Sequence, residues 1–378
     1  MSEVTPVRSA LRHWFAICRA VLPFGIVLGF QQGQHQKVAA QGSPRITGTI
    51  AADLAYALTS QAPKDGLRRY TTQPSRDRQF GLMLGTARVD ADASSWHARL
   101  AMHTGWFTDA NYQGGDRSWR FLQEVSAGAR LHEDLWIDAG IIPSHIGYES
   151  MMPGANLVLS RSLTADYTPY YETGAMLTWQ ASDNVQVAAL LLNGWQQIVD
   201  VNDDLSFGSK VLIKPVPSLS ASWSTYVGND QPIGAPDRLR VHNNAWVEWK
   251  PISGLTIVGL ADVGVQQRQN HGRDRQWYTG CIMAVDTWSG GTGAARVEHF
   301  DDPSRIYIST PADQPAQIKG FSLNVDHTFA NNVKLRAEVR HLKASAAIFD
   351  TRLGLRDSET FVTVSASAAL TFLKTKTD

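Results

Sequence analysis

The chain reads as a membrane-spanning all-β protein, a transmembrane antiparallel up-and-down β-barrel of about 16 strands with short periplasmic turns and long extracellular loops. Three observations carry that reading. After residue 45, charged or strongly polar residues recur every few positions, so no stretch supplies the ~20 apolar residues that a membrane-crossing helix needs. Apolar residues in the same region recur at every second position, the mark of strands with one apolar face. Connections alternate between short and long, as they do around a barrel whose two rims differ. With helices excluded, a closed barrel is the remaining backbone arrangement that satisfies its own hydrogen bonds in lipid.

The first forty residues do not share this pattern. Arg8, Arg12, His13 and Arg19 precede or interrupt an apolar run from Ala20 to Phe30, and Val38-Ala39-Ala40 offers small residues for cleavage near Ala40. This reads as a secretory signal peptide over residues 1–40. The alternative, an N-terminal membrane anchor, meets a clean apolar run shorter than the ~20 residues of a span. The barrel is expected over residues 41–372 and a short polar tail over residues 373–378. Export implies the outer membrane of a Gram-negative bacterium as the location. The 35 basic and 35 acidic side chains balance, which gives no reason to expect nucleic acid as a partner. Cys18 falls in the segment expected to be removed, leaving Cys281 without a disulfide partner.

Strands are expected near residues 46–58, 79–90, 95–107, 119–131, 134–142, 171–181, 184–194, 206–215, 218–228, 238–250, 254–267, 276–288, 293–301, 317–329, 332–342 and 359–372. In the first, Ile50, Ala52, Leu54, Tyr56 and Leu58 share a face. In the third, Trp96, Ala98, Leu100, Met102, Thr104 and Trp106 face lipid, with His97, Arg99 and His103 behind them. The fifteenth sets Val333, Leu335, Ala337 and Val339 against Lys334, Arg336, Glu338 and Arg340. Short turns at 90–94, 132–134, 181–184, 214–218, 250–254, 289–292 and 330–332 alternate with longer links rich in Gly, Pro, Asp and Asn. Trp96, Trp106, Tyr171, Trp179, Trp249, Trp277, Trp288, Phe329 and Phe372 fall near strand ends, where aromatic girdles form. The last strand, Val362 to Phe372, continues into residues 373–378, where many outer-membrane chains stop.

A set of ordered elements lies between Leu135 and Trp195: Ile137-Asp138-Ala139-Gly140, Pro143 with Ile146-Gly147-Tyr148-Glu149, Asn156, Ser160-Arg161-Ser162, Pro169, Thr173-Gly174 and Asn193-Gly194-Trp195, followed by Asn202. In order and spacing this segment resembles the OmpL-like putative β-barrel porin family. The resemblance implies an outer-membrane barrel with porin-like function and brings no catalytic residues with it.

Inward parity makes Arg99, Glu124, Arg130, Asp138, Glu172, Lys210, Arg240, Glu248, Arg296, Glu298, Lys334, Arg336, Glu338 and Arg340 the candidate pore-lining residues. Both signs are present, which points to weak ion selectivity. Lys334, Arg336 and Arg340 form a local basic strip that Glu298 and Glu338 are placed to pair. The longest link, residues 143–170, joins the fifth and sixth strands, where porins carry an inward-folded loop; Glu149, Asn156, Arg161 and Asp166 are its candidate constriction residues, an ordinary surface loop being the other reading.

The expected function is a water-filled channel for passive diffusion of small polar solutes or ions. Its expected partners are outer-membrane lipid, the solutes themselves, the barrel-assembly machinery during biogenesis and, as an open reading, further copies of the chain. Two other classes remain open. One is a plugged surface or structural barrel whose loops bind a partner, suggested by large residues at presumed inward positions, Leu190, Leu192, Trp246 and Ile282. The other is an outer-membrane enzyme, which no GxSxG, HExxH, P-loop or paired-cysteine motif supports. No cofactor or metal is expected, since His145 and Glu149, four residues apart, are separated by Gly147 and follow Pro143, which disfavour a helix that would align them.

Overall fold

The structure is a computed structural model that describes residues 43–112, 114–267, 274–311, 314–329 and 332–375. The expected signal peptide and Lys376–Asp378 lie outside the described residues. Sixteen antiparallel strands close into one barrel. They are β1 (Arg45–Thr59), β2 (Phe80–Asp92), β3 (Trp96–Thr104), β4 (Leu122–His132), β5 (Leu135–Pro143), β6 (Tyr171–Ser182), β7 (Val185–Leu192), β8 (Ser206–Val216), β9 (Leu219–Asn229), β10 (Leu239–Ile252), β11 (Leu255–Gln266), β12 (Arg275–Trp288), β13 (Gly291–Asp302), β14 (Ala316–Phe329), β15 (Val333–Ala344) and β18 (Ser358–Lys374). A separate small hairpin, β16 (Phe349–Thr351) with β17 (Gly354–Arg356), sits in the connection before β18.

Each barrel strand pairs with its sequence neighbours, and β1 closes the ring on β18 through Ala52↔Ala368 and Leu54↔Ala366. β18 continues through Leu373 and Lys374, which pair with Gly48 and Thr47. Neighbour pairing needs only tight turns at one rim, which is why residues 133–134, 183–184, 217–218, 253–254 and 289–290 suffice there. The opposite rim carries the long loops.

Alternation decides which side chain meets lipid. On β15, Leu335 and Val339 are 46% and 39% exposed, while Arg336, Glu338 and Arg340 are exposed by 3% or less. An apolar belt therefore runs around the outside, Ile50, Leu100, Leu177, Val247, Ile282, Leu323 and Val364 among it. Trp96, Trp179, Trp249, Trp288, Phe329 and Phe372 stand exposed near the short-turn rim, where amphipathic rings settle between chain and headgroup.

Four side chains depart from the placement expected from the sequence. Trp106 is not in a strand: Gly105 (φ 130°) ends β3 and starts a short helix, Trp106–Asn111, and the indole lies over Gly81, where a Cβ would come within 2.2 Å of it. Tyr171 and Trp277 are buried, 1% and 0% exposed: parity turns Trp277 into the lumen, whereas Tyr171 is covered by the Tyr112 ring stacked on it at 4.6 Å and by Asp116, which accepts from its hydroxyl at 2.8 Å. Ile282, offered as an inward residue, is 57% exposed on the outside, since Cys281 and Met283 hold the inward positions of β12. Leu190 and Leu192 are buried on the inner face of β7.

Candidate functional site: the loop across the lumen

Residues 144–170, between β5 and β6, enter the barrel. The loop folds locally through its own side chains. Asn156 closes a turn by accepting from Ser150 N (2.7 Å) and donating to Ser150 O (2.8 Å). Ser162 caps the short helix Leu163–Asp166 by accepting from Ala165 N (3.2 Å), and Glu149 accepts from both the backbone N–H and the hydroxyl of Ser162. Arg161 donates to Ala165 O (2.8 Å) and lies 4.1 Å over the Tyr170 ring. Asp166 accepts from the hydroxyls of Thr72 (2.7 Å) and Tyr170 (2.9 Å). Thus all four candidate constriction residues hold the loop's own shape, and all are buried. Burial pushes the carboxyls of Glu149 and Asp166 above their usual range, against the pull of Arg296 and Arg161 on Glu149 and of Arg161 on Asp166.

The wall grips this loop at many places. Starting from β6, Glu172 accepts from His145 N (3.1 Å) and pairs with its ring, whose far nitrogen reaches Thr225 O. On β10, Asn244 accepts from Gly147 N (3.1 Å) and Glu248 from the Tyr148 hydroxyl (2.7 Å). On β13, Glu298 accepts from Leu163 N (2.7 Å), and Arg296 donates to Ser160 O (2.6 Å). On β14 and β15, Asn324 takes Leu159 N and Glu338 takes both Ser160 N and its hydroxyl. Arg336 donates to Pro153 O and Asn156 O while pairing with Asp326, and Lys334 donates to Gly154 O. Arg340 pairs with Glu298 at 2.7 Å, and Arg296 with Glu338 at 3.1 Å. His145 and Glu149 are held by different partners, so the four-residue spacing brings no common ligand set together.

Apolar contacts complete the clamp. Val158, with Leu157 and Tyr148 beside it, packs on Val258, Leu260, Cys281, Met283, Val285 and Ala294, an apolar sector of the inner wall that the loop covers. Nearer the long-loop rim, Trp277, Phe300, Ile308, Ile318, Leu342, Phe349 and Phe361 form a second cluster with Leu163 of the loop.

A different arc of wall keeps its charges partly exposed and paired with one another. On β2–β4, Arg88 bridges Asp90 (2.8 Å) and Glu124, while Arg99 contacts Asp90 (3.2 Å) and Asp92. The Arg88, Arg99 and Asp90 side chains are 20–24% exposed. His97 contacts Asp138 on β5. Of the other candidate lining residues, Arg130 is exposed near the short-turn rim, Lys210 is buried on β8, and Arg240 lies 3.4 Å from Asp230 and over Trp195. Sequence reasoning passed over Arg88 and Asp90. The register shift between Asp53 and Leu54, where β1 pairs with β2, puts both Met83 and Leu84 inside, so counting by twos along β2 fails there.

A closed barrel with an apolar outside, a charged inside and a long loop folded into its lumen defines a porin-type outer-membrane protein. The chain belongs to the family described as Putative beta-barrel porin-2, OmpL-like, whose model matches residues 24–372. Among curated proteins none matches its sequence. Solved structures share the fold at low identity. The anion-selective porin from Comamonas acidovorans is 14% identical with a TM-score of 0.58 over 87% of this chain and 100% of that one. OmpT of Vibrio cholerae, in its trimer form, is 11% identical, TM-score 0.57, over 87% and 99%. The outer membrane channel DcaP of Acinetobacter baumannii is 11% identical, TM-score 0.56, over 89% and 99%.

Proposed function

We propose that this barrel is a passive diffusion channel for small polar solutes or ions in the outer membrane of a Gram-negative bacterium. The observation that carries the reading is the unequal treatment of the wall. One sector is consumed in holding the loop, whereas the arc of Arg88, Asp90 and Arg99 bears partly exposed charges of both signs, braced from behind by the buried carboxylate of Glu124. In this reading the loop sets the bore, and that arc lines the path beside it. Mixed signs at close range give a weak net field, hence little preference between cations and anions. The long loops face outward and the short turns face the periplasm, following the rule for outer-membrane barrels. A homo-oligomer accords with the trimeric form of the Vibrio cholerae relative.

Planar-bilayer recording of the purified, folded barrel tests this. Discrete conductance steps with a reversal potential near zero in a salt gradient are expected. A second reading, a plugged barrel whose loops bind a partner, is favoured by the aromatic and aliphatic clusters filling the lumen beneath the long loops. Absence of steps at any voltage would sink the channel and leave that reading standing.

A further inference from the structure

The outer surface carries a feature that neither closure of the barrel nor passage through it requires. Cross-strand register places His299 of β13 opposite Lys319 of β14, and Lys319 opposite Lys343 of β15. All three lie on the outward face, as the buried neighbours Glu298, Ile318 and Leu342 show by parity. Like charges directly opposite one another destabilise a sheet. Lys343 reaches Asp357 at 2.6 Å, with both side chains more than half exposed, whereas Lys319 and His299 make no ion pair among the described residues. Asp301, two residues from His299 on the same face, accepts from the Gln317 amide at 3.2 Å. Phe321, one position deeper on β14, is 46% exposed and begins the apolar belt, so the basic row stands at the edge of that belt, at headgroup level.

The same register row continues the other way through Gly280 of β12, Ala261 of β11 and Ala245 of β10. Because the strands are staggered, this row descends as it goes. Lys343 is one residue from the long-loop end of β15, His299 three from that of β13, and Ala261 five from that of β11. The deeper part is an open groove of ≈ 590 Å³, lined on the outside by Ala245, Val247, Gly259, Gly280, Ile282 and Val297, with His299 at its upper edge. A Cβ at Gly259 would meet nothing within 4 Å, and one at Gly280 only Leu260 O at 3.9 Å. Cations at the rim thus lead without interruption into an apolar trough in the belt.

We propose that this row and groove bind one phosphate-bearing lipid of net negative charge from the outer leaflet, the headgroup phosphate on His299, Lys319 and Lys343 and an acyl chain along the trough. An anionic headgroup supplies the counter-charge that Lys319, between His299 and the already paired Lys343, lacks, at the depth where lipid phosphates lie. The chain takes the concavity that the two glycines open.

The test is native mass spectrometry of the folded full-length barrel released from detergent after incubation with phosphatidylglycerol, phosphatidylcholine or inorganic phosphate. Retention of phosphatidylglycerol over phosphatidylcholine is expected, falling about tenfold to thirtyfold in the double variant Lys319→Ala/Lys343→Ala. Gly280→Leu, which fills the trough, should lower phosphatidylglycerol retention with the cations intact. Heat-modifiable gel mobility checks that both variants fold. Equal retention of the two lipids, or retention unchanged in the lysine variant, overturns the proposal. So does displacement of phosphatidylglycerol by millimolar inorganic phosphate, which would reduce the site to an anion contact. Loss of a dimer or trimer in Gly280→Leu without loss of lipid would make the trough a subunit interface and overturn it equally.

Discussion

Removing Arg336 tests whether the loop is clamped or merely rests in the lumen. The residue is 3% exposed, and its guanidinium donates to Asp326 (2.9 Å), to Pro153 O and to Asn156 O (2.9 Å). Methionine keeps much of the volume and none of the donors. Arg336→Met strips Asn156 O of its donor, leaves Pro153 O with only the Asn156 N–H and leaves Asp326 with the Asn324 amide but no cation; breaking a buried pair in this way costs roughly 3 to 5 kcal/mol. The strand ladder does not use that side chain, so the cost falls on the docked segment 153–156. Other anchors remain, at Ser160 through Glu338 and at Leu163 through Glu298. At a net ~1 to 3 kcal/mol for each of those bonds, the loop should loosen locally without leaving the lumen. Single-channel recording should therefore show larger and noisier open-state current, with barrel assembly on gels unchanged. Arg336→Lys should restore only part of the quiet state, because an ammonium cannot reach three acceptors in the planar pattern of a guanidinium. Current indistinguishable from the parent in Arg336→Met would refute the clamp as the determinant of the bore.

Ala337, next in the chain, faces lipid between Val325 and Val364; Ala337→Arg should cost about 2 to 4 kcal/mol in urea-dependent folding into vesicles. Gly264→Ala would put a Cβ 1.8 Å from the fully buried Trp277 ring, so a loss of ~1 to 3 kcal/mol is expected in the same assay. The raised carboxyls of Glu149 and Asp166 bind their protons more tightly in the docked loop than in a free one. Their contribution to docking is thus fully present below the ordinary carboxylate range and is lost as pH rises through the raised values. Current noise should fall on acidification, and Glu149→Gln should flatten that dependence; noise that grows on acidification would contradict the sign. Cysteines at Asp350 and Glu133 settle orientation: membrane-impermeant reagent on whole cells should label the first and spare the second.

The strands were legible because lipid outside and a polar interior impose the same alternation on nearly every one, with turns too short to hide the boundaries. What escaped was local to bulges, caps and loops. Trp106 follows apolar parity up to the last residue of β3, yet Gly105 turns the chain and the ring lands on Gly81. Trp277 sits near a strand end, as a girdle residue should, but one residue of parity sends it into the lumen against Phe300 and Tyr307. The hairpin β16–β17 is three residues on each strand, too short to show a period.

The inner charges were harder, because parity says which way a side chain points and not what it finds there. An irregular loop inside a barrel has no ladder to satisfy its N–H and C=O groups, and an unpaired buried backbone group costs about 1 to 3 kcal/mol. Here the wall provides the missing partners: carboxylates and amides for the N–H groups of residues 145, 147, 159, 160 and 163, and cations for the C=O groups of 153, 154, 156 and 160. Glu298, Arg296, Arg336 and Glu338 therefore act as a side-chain ladder for the loop, and their charge is spent before any solute meets it. The apolar sector of β11 and β12 is explained by the same loop, since Val258, Leu260 and Met283 would be a poor lining for water and are a good bed for Val158. It follows that selectivity should respond to the residues left out of the ladder. Replacing Arg88 or Arg99 should move the reversal potential toward cations, whereas Lys334, whose ammonium is held by Gly154 O, should move it less. Equal shifts at all three positions would mean that the loop does not divide the wall into a holding side and a conducting side.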